Sequence, residues 1–164
     1  MYFAHLPAGY ITVKLLSKML GKPPANNRIY MFWGLLGSVA PDFDFTWCLL
    51  HYHRLCDHHK YFTHYPLLWL ALLVLSGTWL LVDRYRHAQP VFALMFFLGG
   101  LVHTLLDMFT GRMFLLAPFS YARQQVSLAE YGFWDPFYLE CFIVLWAVVL
   151  WKKRQLVSLL AKIG

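Results

Sequence analysis

The stretch Pro66-Leu67-Leu68-Trp69-Leu70-Ala71-Leu72-Leu73-Val74-Leu75-Ser76-Gly77-Thr78-Trp79-Leu80-Leu81-Val82 contains no charged side chain. It reaches the lower limit, roughly 17 residues, for a helix that crosses a hydrocarbon core of about 30 Å. Lipid offers no partner for a bare backbone amide, so such a segment reads as a transmembrane helix. Outward from it, residues 89–106 form a second apolar run broken only by His103, and residues 136–151 a third broken only by Glu140. Residues 29–41 are apolar but short, and residues 3–20 are apolar on one side and carry Lys14 and Lys18 near their end. The expected spans are therefore 3–20, 29–41, 65–82, 89–109 and 136–151. They make one domain over residues 1–164, an all-α integral membrane bundle of about five helices.

Composition points the same way. Of the 164 residues 60% are hydrophobic, 19% aromatic and 13% charged, whereas roughly a quarter of residues are charged in ordinary soluble domains. The net charge of +6 raises nucleic acid as a partner. The basic residues instead flank apolar segments and form no single polar face interleaved with aromatics, which argues against nucleic acid. No basic residue precedes Lys14, so the positive start of a secretory signal is missing and the first helix is expected to be retained. Cys48, Cys56 and Cys141 form no CxxC pair. Cys48 and Cys56 can form a disulfide in an oxidising compartment, or all three can simply be buried.

Lys and Arg concentrate on the cytoplasmic side of membrane proteins. The loop with Arg84 and Arg86 and the tail with Lys152, Lys153, Arg154 and Lys162 are therefore expected inside, two helices apart. Alternation backwards adds Lys14, Lys18, Lys22 and Arg28, which puts the N-terminus outside and the C-terminus in the cytoplasm. Ten basic residues then lie inside, against four outside (Arg54, Lys60, Arg112 and Arg123), accounting for all 14. The same topology sends His5, Asp42, Asp44, His58, His59, His64, His103 and Asp107 to the outer ends of their helices. His87 falls on the opposite side and is excluded.

These histidines and aspartates are the residues that carry chemistry. His103 and Asp107 are four apart, so on a helix they share one face a turn apart and can grip the same ion. An ionisable pair inside an apolar span is costly and faces a bundle interior or a cavity; the alternative is an internal hydrogen bond that only locks helices. Asp42 and Asp44 follow Pro41, and two crowded carboxylates stay ionised only beside a cation. Asp44 alternatively caps the next helix. Among His51, His53, His58, His59 and His64, the pair His59 and His64 is read as bracketing a helix start, with Thr63 as a candidate cap and His58 as the substitute ligand for His59. His51 and His53 are read as surface residues. Glu140, inside the last span, reads as a ligand, an orienting partner or a general base, or as a hydrogen-bond partner of a neighbouring helix. Arg112 and Arg123 can receive an anionic group such as phosphate, or be solvated loop residues.

Taken together, His5-Leu6-Pro7-Ala8-Gly9, Gly37-Ser38-Val39-Ala40-Pro41-Asp42-Phe43-Asp44, His59-Lys60-Tyr61-Phe62-Thr63-His64, His103-Thr104-Leu105-Leu106-Asp107-Met108-Phe109-Thr110 and Leu116-Ala117-Pro118-Phe119 resemble the YdjM-like family of membrane-bound metal-dependent hydrolases. The resemblance implies a multi-helix protein of the bacterial inner membrane with metal held by His5, Asp42, Asp44, His59, His64, His103 and Asp107. It also implies a likeness to zinc-dependent phospholipase C and P1-type nucleases. Lys60 and Tyr61 stand where the family has Arg-Gly, and Tyr65 where it has Ser.

The function expected is that of a metal-dependent hydrolase acting on a lipid or lipid-linked phosphoester at the membrane face. The metal expected is Zn, with Mn or Fe as alternatives. Asp42, Asp107 and Glu140 are the carboxylates read as catalytic. The alternative is a non-catalytic metal-binding membrane protein such as a sensor, carrier or envelope assembly factor; a closed, fully liganded site favours it, and an open coordination position favours hydrolysis. The oligomeric state is not readable from these residues.

Overall fold

The computed structural model describes residues 3–20, 26–53, 56–126 and 135–160, without the side chains of His58, Arg154 and residues 156–160. Lys22, Arg54 and Lys162, which enter the charge tally, lie outside the described residues. Among the described residues there are six α-helices: α1 His5–Met19, α2 Asn27–Gly37, α3 Phe43–Tyr52, α4 Pro66–Asp83, α5 Gln89–Asp107 and α6 Pro136–Leu160. Short 3-10 turns lie at Ala40–Asp42, His58–Lys60 and Phe62–His64. Among the described residues there is no strand, only an isolated antiparallel bridge between Met113 and Gln124.

Local chemistry sets the helix ends. Asn26 accepts a hydrogen bond from the Arg28 amide and caps α2, and Pro66 and Pro90 stand in the first turns of α4 and α5, where a missing N–H costs nothing. The span expected over 29–41 ends earlier, at Gly37. The chain then makes the Ala40–Asp42 turn and enters α3, a helix the five-helix reading does not contain. Thr63 does not cap α4; Tyr65 is its N-cap without a side-chain bond, because the Thr63 hydroxyl donates to Asp44 instead. Asp44 in turn lies within the first turn of α3 and caps nothing.

The expectation of five spans narrows in the same way. Among the described residues, α4 and α5 are the two helices long and apolar enough to cross a membrane. At 1.5 Å per residue α1 and α2 reach only about 22 and 16 Å, short of the roughly 30 Å core. The large apolar side chains of α4 still face outward, with Val74, Leu75, Leu81 and Val82 all well exposed, as are Phe142, Leu145, Trp146 and Trp151 on α6. Surface of that kind calls for a non-aqueous neighbour.

Helix α5 runs through the middle and packs on α1, α2 and α4. Its crossing with α2 depends on small residues, as in membrane helix pairs. A Cβ on Gly37 would lie 1.9 Å from the Phe96 carbonyl oxygen, and one on Gly99 would lie 2.3 Å from the Gly34 oxygen. Below that crossing Val13, Tyr30, Leu80, Val91 and Met95 form one core, while Ala4, Ala8, Ile11, Ile143 and Ala147 join α1 to α6. The topology brings the start of α1, the α2–α3 junction, the start of α4 and the end of α5 to one end of the bundle.

Candidate metal centre

At that end six side chains converge from four parts of the chain. Their ligand atoms fall into two groups, His5 with Asp42 and His103, and His59 with His64 and Asp107, with all atoms of a group within 4.8 Å of one another. Asp107 joins the groups. Its Oδ1 is 3.2 Å from His5 Nε2, and its Oδ2 is 3.0 Å from His103 Nε2 and 3.7 Å from the Nε2 atoms of both His59 and His64. Asp42 Oδ1 lies 3.5 Å from His103 Nε2 and 3.6 Å from His64 Nε2. Two donors each 2.0–2.1 Å from a tetrahedral ion are about 3.3 Å apart. Within the groups the separations, 3.5 Å from Asp42 to His103 and 3.7 Å from Asp107 to His59 and His64, lie a few tenths of an ångström above that value, so the donor set suits a zinc-type ion in chemistry and approaches it in spacing.

The orientation of each ring has a cause. His103, fully buried, donates from Nδ1 to the Ser38 carbonyl at 2.7 Å, which turns Nε2 toward the two carboxylates. Nε2 is buried between them, nearest to Asp107 Oδ2. His5 stacks on His103 with ring centroids 3.7 Å apart. His64 Nδ1 is 3.0 Å from Asp44 Oδ2, and the same oxygen accepts the Thr63 hydroxyl. Trp69 on α4 donates its indole N–H to the Thr63 carbonyl at 2.7 Å, anchoring that turn. His59 packs against Gly111, where a Cβ would come within 2.2 Å of its Nδ1.

Electrostatics follow from these contacts. Burial alone would raise the Asp42 carboxyl, but hydrogen bonds to His103 and His64 prevail and hold it well below the usual carboxylate range. For His64 burial works against the charged form, yet Asp42 and Asp44 raise its pKa above the ordinary imidazole value. The centre thus sets two carboxylates among four imidazoles. It is closed on the protein side and open at Asp42, whose side chain is 43% exposed while that of Asp107 is 2% exposed.

Of the seven metal residues expected, six supply the two groups and Asp44 stands behind His64. Asp44 holds the imidazole from the side away from the carboxylates, the arrangement by which a carboxylate orients a metal-binding histidine. Asp44→Asn is expected to weaken zinc binding by roughly 10- to 100-fold, read by competition with a chelating dye; unchanged affinity would remove Asp44 from this role. Glu140 lies outside both groups. It is buried, accepts the Phe3 amide at 2.9 Å, and lines a cavity of about 260 Å³ with Thr110, Asp135 and Phe137. Arg123 donates to Asp57 at 2.9 Å and to the Arg112 carbonyl at 2.7 Å, which ties two loops together. The Arg112 side chain is exposed. The His58 side chain is outside the described residues. His51 stacks on Trp47 at the surface, and His87 pairs with Asp83 at the opposite end. Cys48 and Cys56 are joined as a disulfide.

Sequence reasoning missed the Ser38 carbonyl, which has no side-chain signature, and Gly111, whose role depends on a ring approaching from elsewhere in the chain. It also missed Thr63 as the partner of Asp44.

No curated protein and no solved structure matches the chain. A family model described as YdjM inner membrane protein matches residues 1–163. That match takes in every residue of the centre and both apolar helices, and the chain belongs to the YdjM inner membrane protein family.

Proposed function

We propose that the protein is a membrane-bound metal-dependent hydrolase that acts on a lipid or lipid-linked phosphoester at the membrane face. The observation that carries this reading is the convergence of six His and Asp side chains at one end of the bundle into two groups, each with its ligand atoms within 4.8 Å of one another. His5, Asp42 and His103 would hold one divalent ion and His59, His64 and Asp107 a second, with Zn favoured by the imidazole-rich set and Mn or Fe as alternatives. When bound, such an ion lowers the pKa of a water toward neutrality and polarises the bond under attack.

The protein groups then have separate tasks. Asp42, the least buried of the six, is placed to take a proton from water entering the open side. Asp107 holds the two groups in register, and Glu140 fixes the segment before α1 beside the neighbouring cavity. Arg112 is the group we assign to an anionic head group, with Arg123 ordering its loop. The charge asymmetry supports an orientation with the centre and N-terminus outside and the C-terminus in the cytoplasm. The Cys48–Cys56 disulfide at the centre's end agrees with an oxidising compartment.

The test is a comparison of envelope lipids in cells with the protein, without it, and with Asp42→Asn. A lipid that accumulates without the protein is expected to accumulate equally in the Asp42→Asn strain. Full restoration by that variant would count against hydrolysis at this centre and in favour of metal binding without turnover.

A further inference from the structure

At the end of the bundle away from the metal centre, α1 and α6 enclose a cavity of about 600 Å³. Lys14, Lys18, Lys152 and Lys153 line it, with Leu150, Trp151 and Gln155, and no carboxylate is among the lining residues. Four ammonium groups around one space repel each other, and an anion relieves that repulsion. Lys14 is already fixed in place. It is half-buried, and its ammonium donates to the Tyr10 hydroxyl and, at 2.6 Å, to the Leu150 carbonyl. An ammonium has three donors, so one is left for a ligand.

A second cavity, of about 350 Å³, adjoins the first, and Trp151 lines both. Leu6, Pro7, Tyr10, Leu35, Ala147 and Val148 form its other walls. These are apolar apart from the Tyr10 hydroxyl, which is taken up by Lys14. On α1 the groove runs from Leu6 to Tyr10, about 6 Å at 1.5 Å per residue, and Lys14 lies one turn further on. A basic pocket beside an apolar groove, with an exposed Trp between them, has the pattern of a lipid at a membrane interface. A free phosphate would use only the lysines and leave the groove empty.

We propose that α1 and α6 bind one anionic phospholipid, its phosphate head group held by the lysine pocket and an acyl chain lying in the Leu6–Val148 groove. This site is separate from the metal centre and does not depend on the hydrolase reading. It gives the lysines that follow the apolar run of α1 a specific task beyond setting topology.

The experiment is native mass spectrometry of the full-length protein after equilibration with equal amounts of phosphatidylglycerol and phosphatidylcholine. Preferential retention of phosphatidylglycerol, by about tenfold or more, is expected. Lys152→Gln with Lys153→Gln is expected to bring the two lipids close to parity, while the paired change to Arg preserves the preference. Both lysines are exposed, so neither pair threatens folding, and metal content serves as the control. Val148→Trp, which fills the groove from an exposed position, is expected to lose the lipid with the lysines intact. Equal retention of both lipids, or an unchanged preference in the double Gln variant, would overturn the proposal. So would stabilisation by inorganic phosphate alone equal to that by phosphatidylglycerol with Val148→Trp without effect, since that describes a free-anion site.

Discussion

Asp107→Ala is expected to strip the protein of bound divalent metal while leaving the bundle folded. One carboxylate stands against four imidazoles, those of His5 and His103 in one ligand group and His59 and His64 in the other. Its loss should exceed the roughly 10- to 100-fold reduction in affinity that follows loss of an outer partner. The fold is insulated from the change. The turn after α5 depends on the Asp107 backbone carbonyl, which accepts the amides of Thr110 and Gly111, and alanine favours helix. Asp107→Asn keeps the shape and removes the charge, and should lose metal equally. Elemental analysis alongside circular dichroism checks both variants; a folded variant retaining full metal would contradict the shared role of Asp107.

The second large effect falls on the scaffold. Gly37→Leu should destabilise the protein by at least the roughly 3 kcal/mol at the upper end for overpacked cores, because the added Cβ meets the Phe96 backbone at 1.9 Å. A flexible side chain can move aside, but main chain in the middle of α5 cannot. The α2–α5 crossing must open, and with it the Ser38 carbonyl moves off His103. Thermal unfolding in detergent should therefore show a lower midpoint, and the residual folded protein should bind metal weakly. Wild-type stability for this variant would mean that the helices do not approach as closely as described.

The convergence of His5, Asp42, His59, His64, His103 and Asp107 was legible because charge asymmetry orders helix ends, and ends on one side of a bundle can meet. The uncharged run over α4 and the His103-Asp107 spacing in α5 were legible for the same local reason, that period and composition are written in consecutive residues. What was not legible depended on contacts between distant segments. Helix α3 is short and follows Pro41, so Phe43 and Asp44 read as a helix end until the Ala40–Asp42 turn shows the chain re-entering a helix. Asp44 was expected as a ligand, but Thr63 and His64, 19 and 20 residues away, draw it behind the ring. Glu140 was expected near the reaction, yet its carboxylate holds Phe3 at a separation of 137 residues. The five spans were read from apolar runs; among the described residues α1 and α2 are too short and α6, with Glu140 and its terminal basic residues, too charged, which leaves α4 and α5 as the two helices long and apolar enough to cross.

X-ray absorption at the zinc edge of the full-length protein, purified without chelators, asks whether the two His and Asp groups bind metal. Stoichiometric zinc with nitrogen and oxygen ligands at about 2.0–2.2 Å, imidazole scattering and no sulfur are expected. Absence of bound metal, or a shell with sulfur at about 2.3 Å, would contradict metal binding by these groups.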